Sequence, residues 1–372
     1  VLATEGKSAS VLVRGGDTVD IGWDGLSWAR RYISANRRGA EPETAADILA
    51  PGDIVRLALQ DDGGWSLAQV PRVQGALVSL RPSDGAIEAL VGGFDFGDSK
   101  FNRVTQAMRQ PGSSFKPIIY SAALESGFTP ASIINDAPVV FDDEALEATW
   151  RPENYSGKFY GPTRLREALY RSRNLVSIRV LRTIGAPYAA SYAGRFGFDD
   201  GQLPRDLTLA LGSASATPLQ MAGAYAVFAS GGYRVKPYFI LRIQDAEDNV
   251  IDSARPVVVC PECPATLEDL AGQPQPLPLA ETVITPQNAW LMDSMMRDVI
   301  QRGTGQRARA LGRSDLAGKT GTTNDQMDAW FCGYNPSQVA ISWVGFDKLE
   351  PLGRGETGGR AALPMWMAYM GE

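Results

Sequence analysis

Histidine is absent from this 372-residue chain. Because an imidazole activates the nucleophile in Ser-His-Asp and Cys-His enzymes, this absence excludes both kinds of site within the chain. It also excludes metal sites that use histidine ligands. An activated nucleophile would need another general base, and lysine is the leading candidate.

Cysteine is scarce: the chain contains Cys260, Cys263 and Cys332. The first two form a Cys-Pro-Glu-Cys pair, and a single pair without histidine is a poor zinc site, so we expect no metal. The pair fits a redox centre, a local disulfide or two free thiols. No thioredoxin-like pattern surrounds it, which favours a structural role.

Long apolar runs and a basic excess are missing as well. No run of about 18 apolar residues predicts a membrane-spanning helix. The opening residues, Val1–Glu5, lack the basic and apolar regions of a signal peptide, so we expect a mature or excised form of the protein. The net charge of −6 argues against a nucleic-acid partner, because such proteins usually carry a basic balance.

The N-terminal part of the chain predicts a small β module. Short apolar segments alternate with turns rich in glycine and aspartate, which are hairpin signals. Arginine pairs at 30–31 and 37–38 interrupt the pattern and predict an exposed loop or a short helix. We expect residues 1–73 to form an all-β domain with strands at Ser8–Arg14, Thr18–Trp23, Ile54–Leu59 and Trp65–Val70.

The remainder, residues 74–372, predicts a larger domain. Its segments form, in order, a β-hairpin, several helices and a second β-hairpin. That order suits an α+β domain, an antiparallel sheet flanked by helices, whose terminal strands pair. A proline-rich stretch at 255–278 predicts a surface loop. The predicted strands are Ala76–Leu80, Ala86–Val91, Ala329–Tyr334 and Val339–Phe346, and the predicted helices are Ser113–Ser126, Leu165–Leu181, Pro218–Ser230 and Asn288–Ile300.

The segment Ser113-Ser114-Phe115-Lys116 has the pattern Ser-x-x-Lys. On a helix, positions three apart share a face, so we expect the hydroxyl of Ser113 and the amine of Lys116 side by side. A lysine can remove the serine proton if burial or a nearby cation lowers its pKa. The motif therefore predicts a nucleophile and its base.

The segment Lys319-Thr320-Gly321-Thr322 supplies that nearby cation. Its lysine and hydroxyls can hold a ligand carboxylate, and its glycine lets a ligand approach the backbone closely. A Lys-Thr-Gly stretch on an edge strand is therefore expected to line a cleft.

The segment Ser172-Arg173-Asn174 carries a hydroxyl that can relay a proton and an amide that can hold a peptide bond. Residues two apart do not share a helical face, so the two side chains must converge from a loop or a helix end. Ser-x-x-Lys, Ser-x-Asn and Lys-Thr-Gly in this order are typical of class A β-lactamases and penicillin-binding proteins. Their middle motif is Ser-Asp-Asn, from which Arg173 departs.

On these motifs the sequence resembles the class A penicillin-binding proteins of Gram-negative bacteria. The resemblance implies an OB-like domain followed by a β-lactamase/transpeptidase-like domain. Full-length family members also carry a membrane anchor and a glycosyltransferase domain, which are not visible here, and work at the periplasmic face of the inner membrane. Further segments extend the resemblance over nearly the whole chain: Ala89–Asp95, Arg109–Pro117, Leu209–Ser213, Gly303–Gly305, Gly318–Asn324 and Asp328–Phe331.

The resemblance also implies a reaction, the D,D-transpeptidation of peptidoglycan stem peptides. Ser113 attacks the carbonyl between two terminal D-alanines and forms an acyl-enzyme, which an amine of a neighbouring peptide then resolves. Lys116 is the base, and Ser172 relays the proton towards the leaving amine. β-Lactams mimic the D-Ala-D-Ala end and acylate the same serine. No cofactor is required.

The same resemblance assigns the binding residues. Asn174 holds the amide of the donor peptide, and Lys319 tunes the electric field of the site. The amides of Ser113 and Thr322 form an oxyanion hole, where one donor typically contributes about 3–4 kcal/mol. The substrate carboxylate is held by Lys319 with the segment Thr320, Gly321 and Thr322.

Three alternatives share these motifs. A β-lactamase needs a glutamate positioned for water attack, and no Glu-x-x-Leu-Asn segment lies between Asn174 and Lys319. A D,D-carboxypeptidase, which uses water as acceptor, stays open. So does a β-lactam sensor, although no signalling module is visible. For the β module we expect contact with a regulator, such as an outer-membrane lipoprotein activator, or with glycan.

Overall fold

The computed structural model describes residues 1–139, 150–263, 266–268, 274–276 and 278–371. They form two units, Val1–Arg72 and Val73–Glu372. In the part of the chain so described, no helix combines the length and apolar character needed to cross a membrane.

The first unit consists of short antiparallel strands around a small apolar core. Its strands are β1 (Ala3–Glu5), β2 (Ser8–Leu12), β3 (Thr18–Ile21), β4 (Tyr32–Ser34), β5 (Arg37–Arg38), β6 (Arg56–Leu59) and β7 (Trp65–Ala68). A short helix, α1, spans Trp23–Leu26. β1–β3 form one sheet, and β4–β5 and β6–β7 form hairpins. Alternate residues of β2 point inward, which buries Ala9 and Val11 against Ile21.

The strands predicted for this unit are present, with shorter ends. The prediction for the second arginine pair was wrong, because Arg37 and Arg38 form β5 of an exposed hairpin. The backbone N–H of Gly39 donates to the carbonyl of Arg31 at 2.7 Å and closes that hairpin. A polar, charged segment therefore forms strands here through backbone pairing and not through burial.

The second unit contains a five-stranded antiparallel sheet, in the order β18 (Ala317–Thr322), β19 (Asp328–Asn335), β20 (Gln338–Gly345), β8 (Gln74–Leu80) and β9 (Ile87–Val91). β8 from the first predicted hairpin pairs with β20 from the last, as predicted, with Ala340 opposite Ser79. Strands of the unit are β8 (Gln74–Leu80), β9 (Ile87–Val91), β10 (Ile133–Asp136), β11 (Gly161–Arg164), β12 (Tyr233–Arg234), β13 (Arg242–Gln244), β14 (Val250–Ser253), β15 (Thr266–Glu268), β16 (Pro274–Pro276), β17 (Glu281–Thr282), β18 (Ala317–Thr322), β19 (Asp328–Asn335) and β20 (Gln338–Gly345).

Helices cover both faces of this sheet. The helices of this unit are α2 (Arg103–Gln106), α3 (Lys116–Glu125), α4 (Leu165–Tyr170), α5 (Asn174–Ile184), α6 (Ala186–Gly194), α7 (Pro218–Ala229), α8 (Pro286–Arg302) and α9 (Leu363–Met370). Along β19, Trp330 and Cys332 join the core formed with the central helices, whereas Phe331 packs with Trp366 of α9. Because successive side chains of a strand point to opposite faces, β19 is buried throughout. This is the predicted α+β arrangement, and it leaves β18 at the sheet edge.

The proline-rich stretch at 255–278 is not only a loop, because β15 and β16 pair within it. Its residues 264–265, 269–273 and 277 lie outside the described ranges. Cys260 and Cys263 form a disulfide, which decides between the three alternatives for the pair, and Cys332 is a buried thiol. The Val259 N–H donates to the Ser83 carbonyl at 2.7 Å, so the disulfide segment is tied to the turn between β8 and β9.

Candidate active site

The three predicted motifs meet in one cleft of the second unit, with a volume of about 890 Å³. The edge strand β18 borders it, together with the turn before α3 and the junction between α4 and α5. Lys116 and Lys319 lie beneath the cleft and are fully buried. The other predicted site residues that line it are Ser113, Ser172, Asn174, Thr320 and Thr322.

The turn that carries Ser113 is a 3-10 helix over Gly112–Phe115, which continues as α3. The sequence predicted an α-helix from Ser113 onward. Pro117 explains the difference, because it has no N–H to donate to the carbonyl of Ser113. The Lys116 N–H makes that bond instead, in the tighter 3-10 pattern.

Two glycines allow this turn to pack against its neighbours. Gly112 has a φ of 54°, and a Cβ there would lie 2.7 Å from the carbonyl oxygen of Thr322. Gly212 has a φ of 73°, and a Cβ there would collide with the Gly112 carbonyl. A side chain at Gly112 would therefore push the nucleophile turn away from the edge strand, and one at Gly212 would displace the turn itself.

The hydroxyl of Ser113 faces the cleft and is half-buried. Among the described residues it makes no side-chain hydrogen bond, so the expected pair with Lys116 is not hydrogen-bonded in this structure. No described residue bonds to this hydroxyl and holds it in one rotamer. It can therefore turn towards a substrate or towards the amine below without losing a bond.

The amine of Lys116 points to the middle motif. It donates to the Ser172 carbonyl at 3.0 Å, to the Ser172 hydroxyl at 3.4 Å and to Asn174 Oδ1 at 2.8 Å. Burial lowers the pKa of Lys116 well below that of a free lysine, the charge of Lys319 lowers it further, and Asp136 opposes both. An amine in these surroundings is available in its neutral form at a much lower pH than in water.

The middle motif is shaped by a helix end that the sequence analysis missed. One helix was predicted over Leu165–Leu181, but α4 ends at Tyr170 and α5 begins at Asn174. The N–H of Ser172 donates to the Leu169 carbonyl at 3.0 Å, and the N–H of Arg173 donates to the Ala168 carbonyl at 2.8 Å. These two bonds are a Schellman motif.

Ser172 occupies the left-handed position of this motif, with a φ of 58°. This conformation is uncommon for a residue other than glycine and persists only where the surroundings enforce it. It reverses the chain so that Ser172 and Asn174 face the same amine, which neighbours two apart on a continuous helix could not do. The interruption of the helix therefore creates the predicted convergence.

Lys319 lies on β18 with its amine directed beneath the cleft. The amine donates to the Ser172 hydroxyl at 2.9 Å and to the Thr320 carbonyl at 2.9 Å. Burial lowers the pKa of Lys319 to about 7, and the Cys332 thiol acts in the opposite direction. The Ser172 hydroxyl therefore lies between two buried amines.

The rest of β18 presents hydroxyls and a backbone amide to the cleft. Thr320 Oγ1 is 2.6 Å from Thr304 Oγ1, and Thr322 Oγ1 accepts the Gly358 N–H at 3.0 Å. A side chain on Gly321 would collide with the Pro111 carbonyl, so glycine keeps the strand close to the nucleophile turn. The Thr323 N–H donates to the backbone carbonyl of Asp328 at 3.1 Å, across the ladder to β19. Because directions alternate along an antiparallel strand, the Thr322 N–H points to the open edge.

A buried ion pair anchors the loop before the nucleophile turn. Arg109 Nε lies 2.7 Å from Asp328 Oδ1, and both side chains are almost fully buried. Trp343 donates its indole N–H to the same carboxylate oxygen at 2.9 Å, and Trp330 donates to the Gln110 carbonyl at 2.9 Å. The loop is thus attached to β19 and β20 at several points.

Two buried polar residues of the site were not predicted. Asn154 accepts the backbone N–H of Asn174 at 2.8 Å, and Asp136 accepts from the Asn154 amide at 2.8 Å and 3.0 Å. Both precede α4 in segments without a recognisable motif. The available signal for Asp136 was a pair of polar residues after two isoleucines in Ile133–Asp136, which alone indicates nothing more than a turn.

Residues 75–350 match the family model described as penicillin-binding protein transpeptidase domain. The chain belongs to the penicillin-binding protein transpeptidase family. Residues 1–73 match the penicillin-binding protein OB-like domain. These two matches confirm the predicted fold class. They also confirm the resemblance to the penicillin-binding proteins over both units.

Curated relatives with similar sequences support the same family assignment. Penicillin-binding protein 1A of Pseudomonas aeruginosa is 49% identical over 400 residues, covering 100% of this chain and 48% of that protein. The Vibrio cholerae protein of the same name is 45% identical with the same coverage. The chain thus spans about half the length of these relatives.

The crystal structure of penicillin-binding protein 1A from Haemophilus influenzae has a TM-score of 0.88 and 35% identity, covering 100% of this chain and 56% of that one. The PonA1 protein of Mycobacterium tuberculosis in complex with penicillin V has a TM-score of 0.63 and 28% identity, covering 82% of this chain and 78% of that one. The first of these similarities extends over both units of the penicillin-binding protein described here.

Proposed function

We propose that this chain is a serine D,D-transpeptidase that crosslinks peptidoglycan stem peptides and is acylated by β-lactams. The observation that carries the proposal is the Lys116 amine, buried beneath a cleft-lining serine. Burial and the neighbouring Lys319 charge lower its pKa well below the ordinary value, which suits a general base. The family relationship supplies the class of substrate.

In the first half-reaction the neutral Lys116 amine takes the proton of the Ser113 hydroxyl. The serine oxygen forms a bond to the carbonyl carbon between two D-alanines, and the carbon–nitrogen bond breaks. The leaving D-alanine receives a proton, for which Ser172 is the relay because its hydroxyl contacts both lysines. An amine of a second stem peptide then attacks the ester and releases Ser113.

The binding roles follow from what faces the cleft. The outward Thr322 N–H and the Ser113 N–H stabilise the oxyanion, and the hydroxyls of Thr320 and Thr322 receive the substrate carboxylate. Gly321 keeps β18 close to the nucleophile turn. Lys319 attracts the carboxylate through its field, since its amine is occupied by Ser172 and the Thr320 carbonyl. The Asn174 amide holds the donor peptide bond.

Intact mass after incubation with a penicillin tests the nucleophile. The parent should gain the mass of one penicillin and keep it for hours, and Ser113→Ala should gain none. Ser213→Ala is the matched control, because Ser213 also lines the cleft, and it should be labelled. Labelled Ser113→Ala would place the nucleophile elsewhere. Penicillin consumed without an adduct would identify a β-lactamase.

The acceptor is tested with a stem-peptide donor ending in D-Ala-D-Ala and an amine acceptor in excess. A transpeptidase forms the amide product, which grows with acceptor concentration, and a carboxypeptidase releases D-alanine at a rate that the amine does not change. Acylation without either product would leave the sensor alternative. This experiment separates the three outcomes that share one acyl-enzyme.

Three further proposals concern the domain boundaries, the cellular location and the partner of the OB-like unit. The proposed domains are residues 1–73 and 74–372, and the proposed location is the periplasmic face of the inner membrane. We expect the OB-like unit to contact an outer-membrane lipoprotein activator or glycan. Deleting residues 1–70 from the full protein should then weaken activator response or localisation, and unchanged values of both would contradict that role.

A further inference from the structure

The position of the Lys116 amine depends on Asn174, whose Oδ1 is its shortest contact at 2.8 Å. Asn174 is itself hydrogen-bonded to residues that belong to none of the three motifs. Its backbone N–H donates to Asn154 Oδ1 at 2.8 Å, and its Nδ2 donates to the Glu153 carbonyl at 2.9 Å. The segment around residue 154 therefore fixes the partner of the proposed base.

The orientation of the Asn154 amide is set by a carboxylate. Its Nδ2 donates to both oxygens of Asp136, at 2.8 Å and 3.0 Å, and to the Lys158 carbonyl at 2.9 Å. A carboxylate only accepts, so the NH₂ group must face Asp136. The amide oxygen must then face the N–H of Asn174. A continuous chain of hydrogen bonds thus runs from Asp136 through Asn154 and Asn174 to Lys116.

Asp136 lies at the end of β10 with no exposed surface. The neighbouring cation is Arg173, whose Nε is 3.8 Å from the carboxylate and makes no hydrogen bond among the described residues. The guanidinium instead lies 3.2 Å from the centre of the Tyr160 ring. A buried carboxylate whose counter-ion makes no hydrogen bond to it destabilises the folded state. A functional role would explain why Asp136 is nevertheless present.

We propose that Asp136 is a positioning residue for serine acylation, which acts through Asn154 and Asn174 to hold the Lys116 amine. The inference rests on the proposed function, because it assumes that Lys116 is the base. Arg173, which departs from the Ser-Asp-Asn form, moderates the charge of Asp136 in this scheme.

The charge of Asp136 also acts on the pKa of the Lys116 amine, and the direction of this effect is defined. The groups around the Lys116 amine are Lys319 on β18 and Asp136 on β10, with Arg173 and Tyr160 beside Asp136, Tyr120 on α3 and Cys332 beside Lys319. Burial and Lys319 lower the pKa of Lys116, and Asp136 raises it. Removing the carboxylate charge should make the amine neutral at lower pH and also a weaker base.

The test is the second-order rate constant of acylation by a fluorescent penicillin, measured as a function of pH. The acidic limb of this profile reports the pKa of the general base in the free enzyme. In Asp136→Asn the limb should move to lower pH by roughly one unit, as expected for losing a nearby opposite charge. The plateau rate should fall about tenfold because the base is weaker and less well held. Asp298→Asn is the control: Asp298 is also mostly buried and pairs with arginines, but on α8.

A second variant keeps the test decisive if Asp136→Asn does not fold. Arg173→Gln leaves the carboxylate and removes its cation, so the limb should move in the opposite direction, to higher pH. An unmoved limb in a folded Asp136→Asn or Arg173→Gln, with rate losses no larger than those of Asp298→Asn, would show a structural role and overturn the proposal. Labelling of Ser113 by penicillin in the parent protein is measured separately. A failure of the proposed function is therefore distinguished from a failure of the role proposed for Asp136.

Discussion

The buried Lys319 amine makes the stability of the protein depend on pH in a predictable way. Burial lowers its pKa to about 7 in the folded protein, against about 10.4 in an unfolded chain. Below pH 7 both states hold the proton, and the folded state carries the full cost of the buried charge. Between the two pKa values the unfolded chain binds more protons, so the free energy of unfolding rises with pH.

Lys319→Met removes this dependence while filling most of the same space. At about 1.4 kcal/mol per pKa unit, the cost of the amine is about 5 kcal/mol at low pH and falls to about 2 kcal/mol near pH 9. The stability of the variant relative to the parent should therefore fall by about 3 kcal/mol from about pH 6 to about pH 9. Lost hydrogen bonds to Ser172 and Thr320 shift this difference by an amount that does not change with pH.

The assay is urea unfolding of both proteins, followed by tryptophan fluorescence at several pH values. Titrating groups that Lys319 does not influence cancel in the difference between variant and parent. Relief of Lys116, whose pKa Lys319 lowers, acts in the same direction. Lys100→Met, at an exposed lysine, is the control for exchanging lysine for methionine without burial. A constant difference for Lys319→Met would refute the reasoning, because it would mean that the amine is not destabilised in its charged form.

Three further outcomes are expected. Lys116→Ala should slow acylation by a penicillin at least about a hundredfold with little change in the initial binding constant, in stopped-flow kinetics; equal losses in both would indicate a structural role. Cys260→Ser combined with Cys263→Ser should leave the acylation rate unchanged, since the disulfide lies outside the cleft. Gly212→Ala should reduce acylation at least about tenfold through the collision with Gly112, and a parental rate would show that the turn adapts.

Much of the architecture was predictable because local patterns coincide with burial. The two hairpins that supply four of the five sheet strands are apolar where they are buried, and helix Pro286–Arg302 carries apolar residues at helical spacing on its buried side. The convergence of Ser113, Ser172 and Lys319 at one cleft was predictable only through the family motifs. No local pattern states which sequence-distant segments will meet.

The failures have identifiable physical causes. The break between α4 and α5 was missed because apolar residues resume at helical spacing after the polar run 171–174, and because the left-handed residue is Ser172 and not a glycine. The role proposed for Asp136 was not predicted, because a single acidic residue is distinguished by its burial, which a sequence does not display. The hairpin at Arg37–Arg38 was missed because backbone pairing, not side-chain pattern, creates it.

The Ser172 hydroxyl explains why two buried amines can coexist in the proposed mechanism. It has one proton and two acceptor sites, and it lies 3.4 Å from the Lys116 amine and 2.9 Å from the Lys319 amine. When Lys116 is neutral, the hydroxyl can donate to it while accepting from Lys319. When Lys116 has taken the proton of Ser113, the bond reverses and the hydroxyl proton turns to the cleft, which Ser172 also lines. The transfer reorients hydrogen bonds without moving the backbone, which the Schellman motif holds in place.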